Sequence, residues 1–396
     1  MTPAAATGVD RIGALLNARV EANERFFAAE ADPLARLCHA MAERFARGGR
    51  LLAFGANAVD GSDARHVAVE FVHPVIVGKR ALPALALPPG EVTLLAHPDD
   101  IAIAFGEGPA VEAAVRDAGG VGCLTVAFTH VGASWELVPP TDDAFVAQEL
   151  AETAYHVLWE LVHVFFEHRG LLVGRDAAPV HDSGASSFLY PFLAEREDDL
   201  DAVLADVRAS AIAKAQEINA LRRQTLSDGR DDLLAAAGAL RARLDAGGTI
   251  LALGNGGSAT DAMDAVADLR VPPPGRGWPP RRALDLTADP AILTAIANDI
   301  GTEALFSRQV IAYGGRGDAL LALSTSGSSL NVIAALQEAR RRGLVTLAFV
   351  GYDGGRIAAE RLADHVVVTR SEHIPRIQEA QASAWHVLRE LVEVAM

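Results

Sequence analysis

The chain has 396 residues, half of them hydrophobic and 22% charged, which excludes a disordered or fibrous protein and leads to an expectation of two domains. Lys+Arg number 35 against Asp+Glu 51, a net charge of −16, which argues against wrapping nucleic acid or docking on anionic lipid. Lys79 and Lys214 are the only lysines, and Cys38 with Cys123 cannot build a disulfide framework or a thiolate metal site. Without a basic-then-apolar leader, and with charge interrupting every apolar run, the sequence reads as a cytoplasmic protein off the membrane.

Taken in chain order, 10–31 is periodic like a helix, and an alanine-rich amphipathic helix then ends at Arg47-Gly48-Gly49 before a strand over Arg50–Gly55. A short apolar run follows at Ala84–Leu87, and a closing helix carries Gln148-Glu149 and, eight residues after the glutamine, His156. Residues 169–196, rich in Gly, Pro, Ser and His, read as a linker, with an apolar island at Ser186–Leu193 expected to pack across two domains. His163, His168 and His181 show no recurring ligand spacing and read as scattered surface histidines.

The same order of features then recurs. A lead-in helix over 197 to about 226 precedes a helix ending at Ala246-Gly247-Gly248, and strands are expected at 249–254, 282–286, 319–324, 345–350 and 365–369. A helical segment lies between Pro290 and Tyr313, and the first copy lacks it. The closing helix carries Gln378-Glu379 and His386, again with eight residues from glutamine to histidine. A tandem duplication with this alternation predicts two doubly wound parallel α/β sheets with flanking helices.

Two loops of the second copy point to an anion. Gly254-Asn255-Gly256-Gly257-Ser258 lies between a strand and a helix, where glycines permit a tight turn and helix-start amides favour negative charge. Ser324-Thr325-Ser326-Gly327-Ser328-Ser329 again precedes a helix, and its hydroxyls would cradle a phosphate monoester without lysine. A helix needs one cap, so ordinary capping accounts for one of these hydroxyls but not the run. A dinucleotide fingerprint fits loosely, but Pro272-Pro273-Pro274 stands where its acidic residue belongs, so no nucleotide cofactor is expected.

These loops, with Leu293–Asp299, Asp353-Gly354-Gly355 and Pro375-Arg376-Ile377-Gln378-Glu379, resemble the sugar isomerase (SIS) family, and within it the phosphoheptose isomerases. The resemblance divides the chain into a diverged SIS-like domain over 1–168, the linker 169–196, and an SIS domain with intact loops over 197–396. It implies interconversion of sedoheptulose 7-phosphate and an aldoheptose 7-phosphate through an enediol. Tandem chains would pair as a homodimer that makes a pseudo-tetramer. Ser258, Ser324, Thr325, Ser326 and Ser328 would hold the phosphate; Asn255, Gly256, Gly257, Asp299 and Gln378 would bind the rest of the substrate. A non-catalytic phosphosugar sensor or assembly scaffold is the alternative.

The family's general base, general acid and zinc-binding positions fall on Asp264, Asp268, Gln378 and His386, with Asp268 and His386 as the proton-moving pair. The first copy has His66, Glu70, Gln148 and His156 there, with Glu70 and His156 as the counterpart pair. Side chains four apart share a helical face, and eight apart falls within about 80° of it. A His/Glu pair facing Gln/His suits zinc. The bland alternatives are solvated surface acids for Asp264 and Asp268 and core histidines for His156 and His386. The copies differ further: Ala104–Pro109 replaces the serine loop, and Glu107 would repel a phosphate.

Overall fold

A computed structural model of the chain describes residues 8–75, 79–167, 171–172 and 199–393. His168, His181, the Ser186–Leu193 island and nearly all of the 169–196 linker lie outside the described residues. The elements run α1 (Gly8–Ala46), β1 (Leu51–Gly55), α2 (Ala58–Val72), β2 (Ala84–Ala86), α3 (Pro89–Leu95), β3 (Ile101–Phe105), α4 (Pro109–Val121), β4 (Leu124–Ala127), β5 (Trp135–Glu136) and α5 (Ala144–Glu167). The second series is α6 (Leu200–Asp228), α7 (Arg230–Asp245), β6 (Ile250–Leu253), α8 (Gly257–Arg270), β7 (Ala283–Asp285), α9 (Pro290–Asp299), a 3-10 turn at Thr302–Ala304, α10 (Ser307–Tyr313), β8 (Ala319–Ser324), α11 (Leu330–Arg342), β9 (Val345–Val350), α12 (Gly355–Ala359), β10 (His365–Val368) and α13 (Ile374–Glu393).

Both sheets are five-stranded and parallel, ordered β2-β1-β3-β4-β5 and β7-β6-β8-β9-β10. That shared order is the doubly wound pattern expected of each repeat, with its topological switch between the first and third strands of each series. In the second sheet alternate residues feed opposite layers. Ile250, Ala252, Leu321, Leu323, Leu347 and Phe349 enter the core formed with α7, α8 and α13. Leu251, Leu253, Leu320, Ala322, Ala348 and Val350 enter the core formed with α10, α11 and α12. Burial on both faces is why these strands read as unbroken apolar runs.

Two compact units emerge, each gathered from separate stretches of chain. The C-sheet unit takes 1–21, 143–149 and 217–396, and the N-sheet unit takes 22–142 and 150–216. The lead-in and capping helices differ between the repeats. The first repeat runs them together as α1, carrying Pro33 inside the helix, whereas the second breaks them at Gly229 into α6 and α7. The segment missing from the first repeat is replaced by the seven-residue α3.

Candidate functional site

The loops after β6 and β8 lie on neighbouring strands, in register from Ile250↔Ala319 to Leu253↔Ala322, at the carboxyl ends where doubly wound sheets bind ligands. Gly254 is required by packing, since a Cβ there would stand 2.1 Å from the Ser258 carbonyl oxygen. Gly256 (φ +58°) is the N-cap of α8, and no side chain caps that helix. Ser329 is the N-cap of α11, and it too makes no side-chain cap bond. Ordinary capping therefore does not explain these serines.

Within the second loop three hydroxyls accept a backbone N–H: Ser324 Oγ from Gly327 (3.2 Å), Ser326 Oγ from Ser328 (3.2 Å) and Ser328 Oγ from Arg356 (3.1 Å); Ser326 Oγ also lies 3.4 Å from Ser329 Oγ. An accepting hydroxyl keeps its own proton to donate. Ser326 is exposed, Thr325 and Ser328 are half-buried, and Ser324 is buried. Asn255 and Asn331 exchange two amide hydrogen bonds, 3.0 and 2.9 Å, and so tie the β6 loop to the start of α11. Asp299 stands exposed at the end of α9, where it accepts from Asn298 Nδ2 at 2.7 Å.

The corresponding loops of the N-sheet unit are closed by their own side chains. Asn57 caps α2 by accepting from the amides of Val59 (2.8 Å) and Asp60 (3.2 Å), and its Nδ2 donates to Asp60 Oδ2. That carboxylate lies against Gly106, where an added Cβ would meet Asp60 Oδ2 at 2.0 Å. A dianion would meet a capped helix and a standing negative charge there.

In the C-sheet unit, α8 and α13 bring three of the expected residues together. Asp264 and Asp268 share one face of α8 and are 6% and 3% exposed, which excludes the alternative of solvated surface acids. His386 is fully buried, with Nε2 3.4 Å from Asp268 Oδ2 and 3.6 Å from Asp264 Oδ2. Its ring stacks on Phe145 at 4.3 Å between centroids and 8° between planes. Trp385 Nε1 donates to Asp268 Oδ2 at 3.2 Å. Gln378 is buried eight residues earlier on α13, which packs against α7 and α8.

Sequence reasoning missed Glu149 in this centre. Its Oε1 lies 2.8 Å from His386 Nδ1, and Arg19 grips the carboxylate through Nε (2.9 and 3.1 Å) and Nη2 (2.9 Å). Ser383 Oγ donates to Oε2 at 2.5 Å and accepts from Arg222 Nε at 2.9 Å. The signal for it in the sequence is the Gln-Glu dipeptide that recurs in both repeats, Gln148-Glu149 and Gln378-Glu379.

Burial opposes ionisation of Glu149, but Arg19, His386 and Arg222 together hold its carboxyl well below the usual range. Burial, aided by the charge of Asp264, pushes Asp268 up to about 6. Burial also works against charge on His386, yet Asp264, Asp268 and Glu149 outweigh it and hold the imidazole well above its ordinary value.

In the N-sheet unit, His66 and Glu70 of α2 meet His156 of α5. His66 Nε2 lies 3.3 Å from His156 Nε2 and 3.9 Å from Glu70 Oε1, all three residues being buried. Burial and the charge of His156 hold His66 well below its ordinary value, and burial pushes Glu70 up to about 7. Gln148 lies half-buried on α5, eight residues before His156.

Both triads suit a divalent cation. Atoms about 2.1 Å from a tetrahedral zinc stand about 3.4 Å apart, and each triad gathers its three ligand atoms within 4.8 Å of one another. The donor sets differ: two imidazoles and a carboxylate in one unit, one imidazole and two carboxylates in the other.

His163 is a correction to the sequence reading. It is buried, with Nδ1 2.8 Å from the Trp159 carbonyl oxygen and Nε2 3.0 Å from that of Arg80. Both lysines belong to the N-sheet unit, where Lys79 faces Glu167 at 3.8 Å and Lys214 pairs with Glu160. The serine loop of the C-sheet unit is thus assembled without lysine from its own unit. No helix among the described residues is long and apolar enough to cross a membrane.

Fold and site together define a doubly wound α/β protein with uncapped glycine and serine loops at the switch point of its second sheet. Residues 215–351 match the SIS domain family profile. The chain is 39% identical over 178 residues to phosphoheptose isomerase of Rhodospirillum rubrum, a match spanning 43% of this chain and 89% of that protein. It is 47% identical over 154 residues to phosphoheptose isomerase of Desulfovibrio desulfuricans, spanning 39% and 72%. The chain belongs to the SIS domain family. Its whole fold is shared with the C-terminal domain of glucosamine-fructose-6-phosphate aminotransferase from Francisella tularensis (TM-score 0.60, 11% identity, 97% of this chain and 95% of that one). It is shared also with tagatose-6-phosphate ketose/aldose isomerase from Escherichia coli (TM-score 0.57, 14% identity, 99% and 96%).

Proposed function

We propose that the chain is a phosphosugar isomerase whose working site lies in the C-sheet unit and whose substrate is a ketoheptose 7-phosphate such as sedoheptulose 7-phosphate. The observation that carries the reading is the Ser324–Ser329 loop, in which Ser326 is exposed and the hydroxyls of Ser324, Ser326 and Ser328 accept backbone amides and so have protons to donate, beside a second helix start with no side-chain cap. Ser258, Ser324, Thr325, Ser326 and Ser328 hold the phosphate. Asn255, Asp299 and Gln378 meet the sugar hydroxyls, and Gly256 and Gly257 let the backbone approach.

In the carboxylate form Asp268 removes a proton from C1 of the ketose while His386 Nε2–H protonates O2, giving the enediol. Asp268 then returns a proton to C2 and His386 takes one from O1, which yields the aldose and restores both groups. A pKa of about 6 leaves Asp268 able to both accept and return a proton near neutral pH. Asp264, Asp268, Gln378 and His386 would hold zinc, which when bound would take the place of the Nε2 proton and supply polarisation of the carbonyl oxygen instead. The heptose assignment is supported by the names of the relatives and by their 39% and 47% identity over 178 and 154 residues. Two chains pairing as a homodimer belongs to the same reading.

The test is incubation of purified protein with sedoheptulose 7-phosphate, with and without zinc, and detection of the aldoheptose 7-phosphate. Ser326→Ala should raise KM about tenfold, the worth of one hydrogen bond to a charged group. Unchanged kcat and KM in that variant would overturn the phosphate assignment. A second reading, a non-catalytic phosphosugar sensor, is favoured by Asp268 being held by both Trp385 and His386. Saturable binding of the sugar phosphate with no product under any metal condition would select it.

A further inference from the structure

We infer that Glu149 is a positioning residue for His386: it fixes the imidazole with a proton on Nδ1 and turns Nε2 toward Asp264 and Asp268. Glu149 enters the C-sheet unit on the short stretch 143–149, and its side chain is 1% exposed. Two guanidinium groups face its carboxylate, Arg19 in bidentate contact and Arg222 at 3.9 Å. A carboxylate so placed is ionised, and an ionised carboxylate only accepts hydrogen bonds. The imidazole nitrogen 2.8 Å from Oε1 must therefore donate, which puts the proton on Nδ1.

The carboxylate itself cannot swing away. Oε1 is held by Arg19 Nε and Nη2, and Oε2 by Ser383 Oγ, whose own orientation is set by Arg222. Phe145 stacks on the ring and blocks a flip that would exchange the two nitrogens. Nε2 is left as the one imidazole atom facing the acidic pair, at 3.4 and 3.6 Å. Whatever His386 does there, by proton transfer or as a ligand, it does through that atom. A carboxylate behind a working imidazole in this way fixes its tautomer and raises its basicity.

The tautomer stands on geometry alone; the kinetic consequence rests on the isomerase reading. The deciding measurement is long-range proton–nitrogen NMR of the full chain, metal-free and labelled with 15N-histidine, with His386→Gln to assign the ring. The expected result is a proton on Nδ1 at every pH where the chain is folded, with exchange confined to Nε2. A neutral ring protonated only at Nε2 would overturn the inference without any variant of Glu149. In Glu149→Gln the amide can turn its N–H toward Nδ1, so a shift toward the Nε2–H tautomer is expected. Turnover of the ketose phosphate should fall about 10–100-fold with KM within about twofold, and Glu149→Asp should restore part of it. A rise in KM matching the fall in kcat would show a general structural role instead. If wild type isomerises no sugar phosphate, the isomerase reading fails, and the tautomer measurement still decides the role of Glu149.

Discussion

His163 shows how a buried group can carry a pH dependence that its place in the sequence does not reveal. Burial, reinforced by the charge of Lys79, pushes its imidazole down to about 4, below the value near 6.5 of an unfolded chain. The unfolded chain therefore takes up the proton first as pH falls. The contribution is complete above about pH 6.5 and is lost progressively toward pH 4, to a total of about 3 kcal/mol. His163→Gln should flatten that part of the acid limb in urea titrations followed across pH 4–7. An unchanged limb would mean that other groups set it. Neighbours of the same residue type fare differently: His66, also buried, faces an imidazole and a carboxylate, whereas His163 faces two carbonyl oxygens. Ligand-like spacing on a helix was legible for the first and absent for the second, but burial was not legible for either.

Among the elements, the strands were the most readable, because apolar runs buried on both faces leave little ambiguity of position. The expected strands at 319–324 and 345–350 are β8 and β9 residue for residue, and 249–254 and 282–286 enclose β6 and β7. The helix starts were less readable, since whether an N-terminus is open depends on a side chain's rotamer as well as its identity. Asn57 and Gly256 occupy like places, each the N-cap after the first strand of its repeat, yet Asn57 caps its helix with its side chain and Gly256 leaves the other open, while Asn255 beside it reaches across to Asn331. Asn57→Ala should cost about 1 kcal/mol in melting or denaturant experiments, the worth of an N-cap. It should leave sugar-phosphate affinity within error. Gly254→Ala forces a Cβ to 2.1 Å from a backbone oxygen and should weaken that affinity at least about tenfold, with a loss of roughly 2 kcal/mol or more in stability. Glu149 eluded the sequence for a related reason. Its partners Arg19, Arg222, Ser383 and His386 lie up to 237 residues away along the chain, and no local pattern links them.

At the scale of the whole molecule, a net charge of −16 opposes any anionic ligand at long range. That field is screened beyond about 8 Å at physiological salt, which leaves amides and hydroxyls at contact distance to set affinity. The C-sheet unit is also not a contiguous half of the chain. A fragment spanning 197–396 lacks Arg19, Phe145 and Glu149, and so leaves a buried His386 without the carboxylate on its Nδ1. Removing one partner of a buried pair costs about 3–5 kcal/mol, a large part of a domain's stability. The fragment should melt without a sharp transition and show weak near-ultraviolet circular dichroism. A cooperative melt matching the full chain would show that the second repeat folds without those residues. Joining two repeats in one polypeptide has a further effect. In an assembly of identical subunits every substitution is imposed on all sites at once, so a change that blocks one blocks all. Here Asn57 can cap one helix start while Gly256, its counterpart, leaves the other open, because each position has its own codon and selection can act on one without touching its twin.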